Sequence, residues 1–135
     1  MLKEILSIAG KPGLQKLISN TTNAIIVESL IDGKRFPAYS NSKIISLEDI
    51  SIYTETEDMP LKEVFRRMYE KEEGGKAIGH KETSEKITAY FTEILPEYDK
   101  DRVYTSDMKK IIQWYNLLIE KNLLDFTKEE EKKED

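Results

Sequence analysis

Near Pro60 the hydrophobic period of this chain changes from two residues to about three and a half. Before that point, short apolar runs alternate and are separated by turn signals. After it, apolar residues recur at helical spacing. A period of two buries one face of a strand, and a period near 3.6 buries one stripe of a helix. The fold class expected is therefore α+β, with a β unit first and a helical unit second.

In the first part, residues 14–19, 23–30, 34–39, 43–46 and 50–54 read as five strands rich in Ile, Val, Leu and Tyr. Asp32-Gly33 predicts a type I′ hairpin turn, which needs positive φ at both central residues. Pro37 has no amide hydrogen, so it belongs on an edge, at a bulge or facing outward. Between the fourth and fifth strands, residues 46–49 leave room for one helical turn. Five short antiparallel strands with this turn suit a small SH3-like barrel; an OB-type barrel is the competitor and usually needs a longer chain. Residues 2–8 fit strand or helix, and residues 10–13 turn the chain sharply.

In the second part, Leu61, Val64, Phe65 and Met68 form the stripe of a first helix that starts around Asp58 and Pro60 and stops at Gly74-Gly75. Thr83 or Ser84 caps a second, with Ile87, Tyr90, Phe91 and Ile94 inward and Pro96 after its end. Thr105 or Ser106 caps a third. Its face of Met108, Ile111, Ile112, Tyr115, Leu118 and Ile119, with Trp114 and Leu117 beside it, is wide enough for a central helix. Asn122 then turns the chain, and Leu123, Leu124 and Phe126 close the core. The organisation expected is a barrel domain at 1–58, a three- or four-helix domain at 59–126, and a disordered charged tail at 127–135. A part this small is marginal alone, so each half is expected to be stabilised by the other.

Residues 2–14, 26–30 and 32–35, together with Trp114-Tyr-Asn-Leu-Leu118 and Leu123-Leu-Asp-Phe126, resemble an uncharacterised family of short bacterial proteins. That resemblance covers nearly the whole chain. It implies an SH3-like N-terminal barrel joined to a helical domain, with no established activity and no catalytic residues to carry over.

Charge bounds the partners. The 135 residues carry 21 Lys+Arg and 26 Asp+Glu, a net charge of −5, which opposes indiscriminate binding to nucleic acid or anionic lipid. Cysteine is absent, so disulfides and thiolate chemistry are excluded and a reducing cytoplasm is compatible. The longest apolar run, Ala24-Ile25-Ile26-Val27, is far below the roughly 20 residues of a membrane span. Glu4 interrupts any leader-like stretch at the start. We expect a cytoplasmic protein that does not enter the membrane.

Catalytic constellations fare poorly. His80, the single histidine, lies in a Gly-rich loop without a nucleophile placed beside it by sequence, so an exposed loop residue is the better account. Gly74 and Gly79 have the spacing of a phosphate loop, but His80 stands where Lys is needed and Glu82 repels phosphate. Asp99 and Asp101 open like a calcium loop, yet Val103 and Lys110 occupy later ligand positions. Glu48 and Asp49 are adjacent, which points their carboxylates apart. The expectation is no enzyme, no cofactor and no metal.

Binding signals are stronger. Lys11, Lys34, Arg35 and Tyr39 surround turns that could border one open face of the barrel, with Tyr53 near it. Arg66 and Arg67 lie off the stripe of the first helix; Lys109, Lys110, Gln113 and Asn116 lie off that of the third. The function expected is that of a non-enzymatic, two-part binding or adaptor protein acting through protein–protein recognition. Self-association through the edge around Pro37 is included. The alternative is a regulatory DNA- or RNA-binding protein that uses the helical domain with the barrel rim, its third helix presenting polar residues to a groove as in a helix-turn-helix.

Overall fold

A computed structural model describes residues 2–39, 42–124 and 126. The expected tail at 127–135 lies outside the described residues. The chain divides into two compact units, Met1–Ile50 and Ser51–Asp135.

The first unit is an antiparallel sheet of five strands: β1 (Ile5–Ile8), β2 (Gln15–Asn20), β3 (Ala24–Ser29), β4 (Arg35–Tyr39) and β5 (Ile44–Ser46). Their order is β4-β3-β2-β1-β5. Residues 2–8, open between strand and helix in sequence, supply β1, whose Leu6 and Ile8 face the core while Ser7 faces away. Ser46 then caps a short 3-10 turn, Leu47–Asp49, by accepting from the Glu48 amide. Leu6, Ile8, Val27 and Ala38 form the core of this unit, joined by Leu17, Ile25, Phe36 and Ile44. All five strands contribute to that cluster, so the sheet curls around it.

Closure is where the expected barrel needs correcting. Among the described residues no ladder joins β4 to β5, and the sheet is open. The register gives a reason. Ser29 donates to the Lys34 carbonyl at 2.9 Å, which makes the 29/34 pair hydrogen-bonded. Pairs along an antiparallel ladder alternate, so Ile26↔Pro37 is a non-bonded pair and the Pro37 nitrogen points away from β3. There it has no hydrogen to offer another strand.

Residues 50–54, expected to supply the last barrel strand, do something else. Ser51–Ile52 (β6) pairs with Met59–Pro60 (β7) in a separate two-stranded sheet. The acidic stretch between them is the hairpin loop, tied by Thr54, whose hydroxyl donates to the Glu57 carbonyl and accepts from the Thr56 amide. The Asp32-Gly33 turn also differs from expectation. Only Gly33 has positive φ, at 73°, and the loop is four residues long, 30–33. The Asp32 carboxylate closes it by accepting from the Lys34 amide at 3.0 Å. On β2 the register shifts between Leu17 and Ser19, which leaves Ile18 as a bulge residue, 36% exposed.

The second unit holds three α-helices among the described residues: α1 (Leu61–Lys71), α2 (Ser84–Ile94) and α3 (Thr105–Glu120). The expected stripes are buried on α1 and α2 without exception, and α3 buries Met108, Ile111, Ile112, Trp114, Tyr115 and Leu118. Aromatic contacts knit the core: Phe65 and Tyr115 have ring centroids 6.1 Å apart, and Phe91 meets Tyr98 edge-on at 5.4 Å. Thr83 caps α2 as expected. On α3 the cap is Tyr104 rather than Thr105 or Ser106, because the Asp107 carboxylate accepts from the Tyr104 amide at 3.0 Å.

Two helices end in the same way. Gly74 donates to the Tyr69 carbonyl and Glu73 to that of Glu70; Leu123 donates to Leu118 and Asn122 to Ile119. These are Schellman motifs, whose pivot sits in the left-handed region. The pivot of α3 is Asn122 at φ 57°, a tolerated residue; that of α1 is Glu73 at φ 51°. A β-carbon there costs about 1–2 kcal/mol. Glu73→Gly is therefore expected to stabilise the protein by about 0.5–1 kcal/mol, net of the freedom glycine adds to the unfolded chain. A urea titration that shows no gain would remove strain at this pivot from the account.

Candidate binding site

A shallow concavity of the sheet unit lies beside the β2–β3 hairpin. Thr21 builds that tip: its amide and its hydroxyl both donate to the Ala24 carbonyl, at 2.8 and 2.6 Å, and its hydroxyl oxygen accepts from the Ala24 amide at 3.1 Å. Tyr39, at the end of β4, pairs with Ala24 across the ladder. Between them opens a depression of ≈ 220 Å³ lined by Thr21, Thr22, Asn23, Ala24, Ile25, Ala38, Tyr39 and Ile44. Its lining holds no charged residue. Its floor is the core cluster itself, because Ile25, Ala38 and Ile44 belong to that cluster. Tyr39 stands at the rim, 55% exposed.

Of the candidate rim residues, Tyr39 lines the depression, and Lys11, Lys34, Arg35 and Tyr53 do not. The Lys11 ammonium lies 4.9 Å from the centre of the Phe36 ring, two residues from Ala38 on the same face. Lys34 and Arg35 sit at the opposite end of β4 from Tyr39, about 13 Å along the strand from its first residue to its last. Arg35 is held there by Glu28, its cross-strand partner, at 3.1 Å. Tyr53 belongs to the helical unit, where the Arg102 guanidinium stacks on it at 4.1 Å. The expectation of one rim built from all five is corrected accordingly. The lining residues Thr21, Ala24, Ile25, Ala38 and Ile44 escaped sequence reasoning. The usable signal was Thr21-Thr22-Asn23, a polar turn joining two apolar strands.

The helical candidates are largely committed to the fold. Arg67 donates to the Ile94 carbonyl at 3.2 Å and to Glu97 at 3.1 Å, joining α1 to the end of α2. Arg66 pairs with Glu63 and lies over the Phe126 ring at 4.9 Å. Lys110 is exposed, and Lys109 and Gln113 are half-buried on α3. The turn between α2 and α3 spans residues 95–104, well beyond the three or four residues of a helix-turn-helix. Asn116, one of the polar residues expected to face a groove, instead grips the Gly-rich loop. Its side chain accepts from the Ala77 amide at 2.7 Å and donates to the Ile78 carbonyl at 2.9 Å, while the Tyr115 hydroxyl donates to the Gly75 carbonyl at 2.7 Å.

The remaining chemistry-bearing groups do not converge. His80 makes no hydrogen bond or ion pair to a carboxylate among the described residues, and no cluster of three or more metal-ligating side chains occurs among them. Asp99 is taken up locally, accepting from Arg102 and from the Asp101 amide, both at 2.9 Å. No helix among the described residues is long and apolar enough to cross a membrane.

Two carboxylates nonetheless report on the helical unit. A hydrogen bond to its own backbone and one from Arg67 hold Glu97 below the usual range; bonds from Arg102 and the Asp101 amide do the same for Asp99. A depressed folded-state value favours the native state above the unfolded value, near pH 4, and that contribution vanishes as pH falls through the folded one. The thermal midpoint is expected to drop on acidification below about pH 4.5, and Arg67→Gln to flatten the drop. An unchanged slope in Arg67→Gln would show that Glu97 does not contribute to it.

Residues 50–118 match the model of a family described as a domain of unknown function (DUF6852), and residues 2–47 match a second, also a domain of unknown function (DUF5606). The chain belongs to the first of these, the DUF6852 family. The two matched segments correspond to the helical unit and the sheet unit. The chain is also similar to a solution NMR structure from Bacteroides vulgatus, a Northeast Structural Genomics Consortium target. That structure is 50% identical, with 93% of this chain and 91% of that one covered and a TM-score of 0.75. No curated protein matches.

Proposed function

We propose that this chain is a non-enzymatic binding or adaptor protein that recognises a segment of another protein, and that the sheet unit carries the recognition surface. The observation that carries this reading is the uncharged depression beside Tyr39. At ≈ 220 Å³ it is smaller than the roughly 300–1,000 Å³ of small-molecule sites, so it suits one or two side chains of a polypeptide. An exposed tyrosine over an apolar floor is a rigid anchor at low conformational cost. The sheet itself is read as an SH3-like barrel left open on one side, supported by the return of β5 to pair with β1. A cysteine-free chain with 35% charged residues suits a cytoplasmic setting.

The test is retention of proteins from nuclease-treated lysate on the immobilised full chain, compared with Tyr39→Ala. Retention that falls at least fivefold in Tyr39→Ala supports the reading. Retention indifferent to Tyr39, no retained protein, or retention that disappears with nuclease would each overturn it.

A further inference from the structure

The sheet unit is the basic part of an acidic protein. Residues 1–50 carry six Lys+Arg and five Asp+Glu, +1, whereas residues 51–135 carry 15 and 21, −6. β1, β2, β4 and β5 contain no carboxylate at all, and the single acid of β3, Glu28, is neutralised by Arg35. Two lysines lie on segments next to the depression, though neither lines it. Lys43 immediately precedes the lining residue Ile44, and its carbonyl accepts from the Ala9 amide at 3.0 Å. That bond brings it beside the turn that carries Lys11, whose amide donates to the Ile8 carbonyl at 3.0 Å. Neither lysine side chain has an ion-pair partner among the described residues.

Resting on the binding reading above, we infer that the occupant of the depression is an acidic, extended segment of a partner protein, with an aliphatic or aromatic side chain seated on Ile25, Ala38 and Ile44 and its carboxylates met by Lys11 and Lys43. An apolar floor supplies anchoring by burial, and two lysines without ion-pair partners on the adjacent segments select for negative charge and steer encounter. The segment lies across the depression. Adding it as a strand along β4 is disfavoured, because Pro37 removes the central outward donor that such an augmented strand would use.

Selection of a random dodecapeptide display library on the full chain, with counter-selection on Tyr39→Ala, tests this. The enriched peptides are expected to carry net negative charge and at least one large apolar residue. A synthesised representative should bind at least tenfold more weakly to Lys11→Glu/Lys43→Glu, and more weakly as salt rises. Pro37→Ala should leave its affinity unchanged. A neutral or basic consensus overturns the acidic partner while the binding reading stands; a tenfold gain in Pro37→Ala overturns the seating. Absence of any Tyr39-dependent enrichment sinks both, as does tighter binding of oligouridylate than of any peptide. Concentration-dependent self-association lost in Lys11→Glu/Lys43→Glu would name a second copy as the occupant and overturn the proposal. Native-like amide spectra of each variant establish that loss of binding is not loss of fold.

Discussion

Asn116→Ala is expected to lower the unfolding free energy by about 2–3 kcal/mol, a large effect for a half-buried polar residue. The side chain satisfies a backbone donor at Ala77 and a backbone acceptor at Ile78, 39 and 38 residues away in sequence. Alanine leaves both groups without a partner in a partly buried setting, and each such group costs about 1–3 kcal/mol. The Tyr115 bond to Gly75 then remains to hold the loop. Asn116→Asp separates the two contributions: it retains the acceptor, loses the donor and sets a carboxylate against the Ile78 carbonyl, for a cost of about 1–2 kcal/mol. Trp114, the single tryptophan and 8% exposed on α3, reports the transition by fluorescence. Amide exchange at Ala77 should accelerate in step. A loss under about 0.5 kcal/mol in Asn116→Ala would mean that solvent replaces the clamp at no cost.

A still larger effect is expected at Phe65. Its side chain is fully buried, it packs on the ring of Tyr115, and it sits on the stripe where α1 meets the rest of the helical core. Phe65→Ala removes most of a ring and leaves a cavity, which costs about 3–5 kcal/mol. Against a total stability of about 5–15 kcal/mol, this brings the helical unit close to its unfolding midpoint in mild urea. Phe65→Leu keeps much of the volume and should cost roughly 1–1.5 kcal/mol. If the two variants unfold at the same urea concentration, the core has collapsed around the alanine and the cavity contribution is absent.

Why these two positions differ in legibility says how far the sequence reaches. Phe65 is plain from spacing, because Leu61, Val64 and Met68 share its stripe and a helix of any tertiary setting must bury that face. The stripes of α2 and α3 were legible for the same reason, as were the β2–β5 segments to within a residue at each end. Asn116 was legible only as polar. Its partners lie nearly forty residues upstream, and no periodicity encodes a contact of that separation. The strand at Ser51–Ile52 shows a related blindness: alternation states which side chains share a face but not which strand lies alongside. Its pairing with Met59–Pro60 follows from Thr54 closing the intervening loop, a local bond that composition does not reveal.

The candidate site was read in part. Tyr39 was picked out by type and lines the depression; Lys11, equally plausible by type, lies over Phe36, and Lys34 and Arg35 lie at the far end of the same strand. Adjacent turns in sequence fall at opposite ends of a strand, so grouping them requires the register. The depression itself is made of small and aliphatic residues that would elsewhere be unremarked core.

The outward nitrogen of Pro37 carries a consequence for the protein's behaviour when crowded. An open sheet with bare margins can recruit copies of itself into ordered fibrils, one backbone templating the next. A proline at the middle of a five-residue margin interrupts that template at its centre, and the neighbouring Arg35 adds charge to it. The seam that keeps the sheet from closing is thereby also the feature that keeps it from polymerising. A Pro37→Val chain, with the missing hydrogen restored, is the form in which fibril seeding would first be seen.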